Sequence, residues 1–431
     1  MKKIRAIFFV FISVVSGYCG ISVGNFPVDF NEKVFGHIQY LSVKIGERVS
    51  GTSEEAEAAD YIRNQLESAG INAEIEKFTF ETYQLDSVEL YIFNNKFPVK
   101  QIYFNPYDSV YQFTDCFLLT DSYQSIKEPA DIKRAIIITK NENDYFSYIG
   151  ADPEIVLVVD SLTYKKIQMG QDRNCTVSIH GKMSKYESQN VIGQLNASEK
   201  TDQYIILSAH YDSYPGSPGA DDNASGVGTL IELAKYFKSI QDKLNVNLKF
   251  ISFGSEEKGI LGSRVYLNRH GSEMKDCVLM CNMDFIGGPK STIELLGGVK
   301  GIPDSTGQNN FPLKTRNKPW EGIDSSWRIL ASDILPVFGI TNKPDWLVNM
   351  IRKLIQELNI QIMERGVLGS DQQTFTQAGV VTTSIGASGN QFHNSHDTIE
   401  QIHRDSLQRA GLLTSKIILE TMKIEGDKKE N

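Results

Sequence analysis

The stretch PGADDNASG, residues 218–226, sets two aspartates side by side among glycines, alanines and a proline. An Asp-Asp pair in a glycine-rich turn is commonly a solvated turn or a helix cap. Alternatively, one carboxylate can bridge two cations, the bare loop leaving them room. The flanking elements weigh between these readings. Upstream, YIILSAH (204–210) has the pattern of a buried strand and runs into His210 and Asp212. Downstream, ASGVGTLIELAKYFKSI (224–240) has amphipathic helical spacing, and VNLKFISF (246–253) reads as a strand leading to Glu256 and Glu257. A helix, GILGSRVYLNRH (259–270), and a strand, CVLMCNMDF (277–285), which carries Asp284, complete the series. Such alternation predicts an α/β fold, a mixed, mostly parallel central sheet flanked by helices. In open sheets of this kind ligands gather at the carboxyl ends of the strands, where these polar residues collect.

Further out, SEEAEAADYIRNQLESAG (53–70) reads as a helix that Ser53 can cap and Gly70 ends, followed by a strand-like AEIEKFTFETY. Short β-rich runs then take over, VELYIF, CFLLT, RAIIIT and EIVLVV, with no clear amphipathic helix among them. The expected organisation is a signal peptide at 1–19, a first part of the main domain at 26–85, an inserted β-rich domain at 86–172, and the second part at 173–425.

The first twenty residues, MKKIRAIFFVFISVVSGYCG, join a basic start to an apolar run and then small residues, the layout of a secretory signal peptide. The run is shorter than the roughly 20 apolar residues a membrane span needs, so export with cleavage is expected, with a lipid anchor at Cys19 left open. The destination is the periplasm, the cell surface or the medium. Of the four later cysteines, Cys277 and Cys281 lie four apart in a strand-like run, too distant to bridge, and are expected as buried thiols. Cys116 with Cys175 is an open pairing. The 431 residues are 41% hydrophobic and 23% charged, with a net charge of −9 and no basic block. That composition fits a globular chain and excludes a phosphate-neutralising nucleic-acid binder.

Histidine and carboxylate side chains are the donors zinc favours, and five segments offer them: SAHYDS, PGADDNASG, GSEEKG, NMDFIGG and FHNSHDT. Each has an ordinary alternative, such as a core histidine or carboxylates favoured at a helix N-terminus. Their coincidence at successive strand ends favours a metal site.

Together HYDS, PGADDNASG, SEEKGILGS, MDFIG, GSDQQTF and FHNSHDT resemble the zinc aminopeptidase family that includes secreted bacterial leucyl aminopeptidases and, more distantly, glutamate carboxypeptidase II and transferrin receptor. The resemblance is weak over residues 35–80 and good from about 188 to 420. It implies two zinc ions per chain: His210 and Asp284 on one, Glu257 and His393 on the other, with Asp222 bridging. It also implies Asp212 orienting His210, Glu256 as general base, a peptide substrate with a free N-terminus, and a protease-associated domain as the insert. His396 falls where members vary. The family's GSDH appears here as Gly369, Ser370, Asp371 and Gln372, and a tyrosine found nearby in some members is absent around Val367 and Leu368, which leaves the oxyanion donor unassigned. On the same fold, a carboxypeptidase or dipeptidase, a one-zinc glutaminyl cyclase, or an inactive binding protein are the alternatives. No G-x-S-x-G elbow supports a serine hydrolase.

Overall fold

A computed structural model describes residues 26–430 apart from 93, 105–109, 120–135, 141–154, 171–173, 295–342, 366–368 and 389–392. The expected signal peptide and Cys19 therefore lie outside the described residues, as do Val367 and Leu368. Among the described residues no helix is long and apolar enough to cross a membrane.

The centre of the molecule is a mixed sheet. Its core strands are β8 (Tyr204–His210), β9 (Asn247–Phe253), β10 (Cys277–Met283) and β13 (Thr382–Ser388). They lie in the order β13-β10-β8-β9, and all three pairings are parallel. On one side β11 (Lys290–Glu294) pairs antiparallel with β13 and parallel with β12 (Ile362–Arg365). On the other, β7 (Asn174–Leu195) pairs antiparallel with β9.

The strands alternate between two buried faces. Ile205, Leu207 and Ala209 of β8, with Leu248 and Phe250 of β9, enter the largest apolar cluster beneath the helices Phe30–Ile38, Ser53–Ser68, Gly226–Ser239 and Arg404–Glu430. Tyr204, Ile206, Ile251 and Phe253 face a second cluster with Tyr266, Met280 and Phe375. Both faces being covered, the strands read as nearly continuous apolar runs, and the polar side chains that chemistry requires fall just beyond their carboxyl ends.

Two strands run past the core. β1 (Asn72–Ile92) and β7 pair antiparallel from Asn72 opposite Gln194 to Ile92 opposite Cys175, with one register shift between Leu85 and Ser87. Their far ends contribute Leu90, Ile92, Val177 and Ile179 to a separate apolar cluster with Ile138, Leu157, Val159, Tyr164 and Ile167. This cluster includes a helix, Ser161–Met169, in the region where no clear helix was expected. The helix is short, and its start is set by the Asp160 carboxylate accepting the Thr163 amide at 2.7 Å. The next strand, Val110–Leu119, sets Cys175 opposite Asp115 and Cys116 opposite Asn174. Cys175 and Cys281 are buried, and Cys277 is partly buried.

Candidate metal centre

Five segments converge beyond the carboxyl ends of β8, β9 and β10. His210 is the last residue of β8, and Asp284 is the first beyond β10. The pairing of Asn282 with Ser208 brings the two strands to the same level, so the ends of adjacent parallel strands carry these two side chains together. His210 Nε2 lies 3.2 Å from Asp284 Oδ1 and 3.1 Å from Asp222 Oδ1. The other oxygen of Asp222 lies 3.2 Å from His393 Nε2, which is 3.0 Å from Glu257 Oε2. Two clusters thus form, His210–Asp222–Asp284 and Asp222–Glu257–His393, with Asp222 common to both.

The opening loop achieves this by giving each polar residue a separate task. Asp222 reaches both histidines. Asp221 turns the other way, its Oδ1 accepting the Gly287 amide at 2.6 Å and the Ser225 hydroxyl at 3.2 Å. Asn223 donates to the Met283 carbonyl at 2.9 Å and accepts the Phe285 amide at 3.2 Å. Two of the three side chains therefore tie the loop to the chain on either side of Asp284, and the peptide between Asp222 and Asn223 is cis. The small residues serve packing as well. A Cβ on Gly219 would stand 2.6 Å from the Asp222 carbonyl oxygen, and one on Gly226 would stand 2.5 Å from that of Met283.

Asp212 joins the two clusters from behind. Its Oδ1 lies 3.6 Å from His210 Nδ1, and its main-chain carbonyl lies 3.2 Å from the same nitrogen. The same carboxylate accepts the amides of Glu256 at 2.9 Å and Glu257 at 3.1 Å, and the Ser50 hydroxyl at 2.8 Å. The residue expected to orient His210 thus also fixes the backbone of the paired glutamates. Glu256 belongs to neither cluster.

The electrostatics are those of crowded buried anions. Burial raises Glu256 well above the usual carboxylate range, with Glu257, Asp371 and Asp284 adding to it against the opposing His210. Glu257 is pushed up to about 7 by burial, opposed by His393 and reinforced by Asp222. Burial would lower both imidazoles. Asp284 and Glu256 nevertheless drive His210 well above its ordinary value, and Glu257 and Asp222 do the same for His393. Burial would raise Asp222, yet the two histidines hold it below its ordinary value.

This donor set fits divalent cations. Zinc bonds of about 2.0–2.1 Å in tetrahedral geometry separate ligand atoms by about 3.3 Å, close to the 3.0–3.2 Å edges seen here. Glu257 Oε1 is buried with no hydrogen-bond partner, leaving donor capacity unused. Asp212, Asp222, Glu256, Glu257, Asp284 and Asp371 also outnumber the two imidazoles, so a cation held among them would favour the ionised form of the carboxyls that burial otherwise raises.

The remaining histidines stand apart from both clusters. His396 and His403 are exposed. His37 bonds Tyr61 and Glu232, and His270 bonds Glu76 and Glu273. Gln372, where the family has histidine, accepts from Asn282 at 3.0 Å, and Asn282 in turn holds Ser208 and Ser370. Four residues near the centre escaped sequence reasoning. Asp397 accepts the Asp221 and Asp222 amides, Arg48 binds carbonyls of the same loop, Glu55 is buried behind Asp212, and Tyr214 stacks on His393 with ring centroids 4.6 Å apart. Asp397 lay in the quoted FHNSHDT, and Glu55 in the stretch 53–70 read only as a helix.

Comparison with known proteins bears on the family and the fold. Residues 190–316 match the model of peptidase family M28. The chain is 29% identical over 242 residues to aminopeptidase YwaD of Bacillus subtilis, a match covering 55% of this chain and 46% of that protein. It is 30% identical over 196 residues to a probable lipoprotein aminopeptidase, LpqL, of Mycobacterium tuberculosis, covering 43% and 39%. The chain spans less than half the length of these curated relatives. Among solved structures, BSAP, a zinc aminopeptidase from Bacillus subtilis, superposes with a TM-score of 0.61 at 19% identity, over 90% of this chain and 94% of that one. A peptidase M28 precursor from Shewanella amazonensis gives 0.63 at 16% identity, over 91% and 95%. The fold is the one these peptidases share, and residues 190–316 carry the match to peptidase family M28.

Proposed function

We propose that the chain is a di-zinc aminopeptidase that hydrolyses the N-terminal peptide bond of peptides. The observation that carries this is the sharing of Asp222 between two histidine–carboxylate clusters beside a glutamate that belongs to neither. His210 and Asp284 would hold one ion, Glu257 and His393 the other, and Asp222 both. When bound, zinc supplies Lewis acidity, lowering the pKa of a water to about 7 and polarising the scissile carbonyl.

The remaining work falls to the chain's own groups. Burial raises Glu256, but cations at the two adjoining clusters would favour its carboxylate form, which takes a proton from the attacking water and returns it to the departing amine. Asp212, accepting the Glu256 amide, fixes the main chain that carries that carboxylate. The surplus of buried carboxylates favours a protonated amino terminus, which a blocked peptide lacks.

The test compares aminoacyl-4-nitroanilides with their N-acetylated counterparts. Cleavage confined to free amines is expected; cleavage of the blocked series, or of neither, counts against the assignment. Glu256→Gln should lower kcat by about 10²–10⁴ while retaining zinc, whereas Asp222→Ala should lose metal.

A further inference from the structure

The loop carrying Asp222 is gripped by two charged side chains that hold its main chain rather than any ligand atom. Arg48 is completely buried. All five hydrogen bonds of its guanidinium go to main-chain carbonyls. Nε reaches Tyr211 at 2.8 Å; Nη1 reaches Leu41 at 3.2 Å, Gly46 at 2.8 Å and Pro218 at 2.8 Å; Nη2 reaches Gly219 at 2.8 Å. Tyr211 directly follows His210, and Pro218 and Gly219 precede the aspartate pair with only Ala220 between. One planar fork therefore sets the His210 strand end against the start of the Asp222 loop.

Asp397 takes the complementary groups of the same loop. Its carboxylate accepts the Asp221 amide at 2.7 Å and the Asp222 amide at 3.0 Å, and its carbonyl accepts the Ala220 amide at 3.2 Å. Asp397 lies four residues beyond His393, so it fixes the loop to the segment that supplies the second histidine. The cation holds carbonyls, the anion holds amides, and Asp222 lies at the end of the stretch between them.

Neither choice is neutral for stability alone. Burying a guanidinium without a directly bonded carboxylate is costly, and burial lowers Arg48 to about 10 against the opposing pull of Asp397, Asp212, Asp222 and Glu257. A lysine would carry the charge but not the fork, and could not span the carbonyls of 211, 218 and 219 in one plane.

We propose that Arg48 and Asp397 are positioning residues forming an ionic clamp on the Asp222 loop, which sets the spacing between the two histidine clusters and thereby their affinity for a divalent cation. This rests on the reading of those clusters as a cation site.

The test measures zinc affinity of the full chain by competition with a chromogenic chelator, together with the thermal midpoint of the zinc-free protein, for the parent, Arg48→Lys and Asp397→Asn. Asp397→Asn keeps the shape of the side chain but exchanges one of its two acceptor oxygens for a donor, and the expectation is about 10- to 100-fold weaker zinc binding in a zinc-free protein that still folds cooperatively with a lowered midpoint. Arg48→Lys should weaken zinc to a similar degree; if it does not fold, Asp397→Asn decides alone. Saturating zinc should then restore most of the lost kcat. Asp397→Asn binding zinc as tightly as the parent would overturn the clamp, as would a loss that merely tracks the unfolded fraction. A parent that binds no zinc would instead overturn the cation site itself.

Discussion

At the scale of single residues, the two adjacent aspartates divide a structural from a ligating task, although their side chains are identical. Asp221 accepts the Gly287 amide and is raised to about 8 by burial, with Asp397 adding to the shift, whereas Asp222 is held below its ordinary value by His210 and His393. Motif recognition could single out Asp222, but the task of Asp221 depends on a chain segment more than sixty residues away. Glu55 makes the same point. It lies in the first turn of a helix and in sequence resembles the exposed Glu54 beside it, yet it is buried, accepts the Ser188 hydroxyl at 2.6 Å, and is raised to about 8 chiefly by burial and then by Asp212. Because its folded pKa lies above its unfolded value, the unfolded chain releases this proton first, and the protein loses stability as pH rises from about 4.5 to about 8. Glu55→Gln should remove that loss. Its thermal midpoint, measured relative to the parent, should therefore rise between pH 5 and pH 8, and a difference independent of pH would show that Glu55 titrates normally.

At the scale of elements, strands covered on both faces were legible from their apolar runs, and β8 spans the stretch read as YIILSAH. Apolar periodicity reports burial, however, and not hydrogen bonding at the ends. The helix starting at Ser53 is capped by Thr52, whose hydroxyl accepts the Glu55 amide at 3.3 Å, although Ser53 offers the same chemistry one residue later. The helix Ser161–Met169 gives little periodic signal because it is short and only Thr163, Tyr164 and Ile167 are buried. The loop ahead of Asp222 yields the sharpest test at this scale. Gly219 has φ +61° and no space for a side chain, with Ser213 Cβ 2.6 Å and Arg48 Nη2 2.7 Å from where a Cβ would stand. Gly219→Ala should cost about 2–4 kcal/mol from the left-handed backbone and overpacking together, read by denaturant unfolding, and should weaken zinc binding as the loop shifts. Parent-like stability would mean that the loop relaxes without cost.

At the scale of the whole molecule, parallel pairing of β8, β9 and β10 brings residues 210, 256–257 and 284 to one edge, where Asp222 and His393 meet them. The α/β alternation made this edge predictable, since ligands gather at the carboxyl ends of such strands. The long β1–β7 pair was less legible. Its outer half packs into a separate apolar cluster, but β1 runs continuously through residues 85 and 86, where the first domain boundary was expected, because strand periodicity does not change where the packing partners change. We read that outer unit as an inserted domain with its own apolar cluster. The central claim, that one carboxylate joins two cation positions, is tested most directly by elemental analysis of the purified full chain after equilibration with zinc and removal of the excess. About two zinc ions per chain are predicted; one ion, or none, would contradict the account.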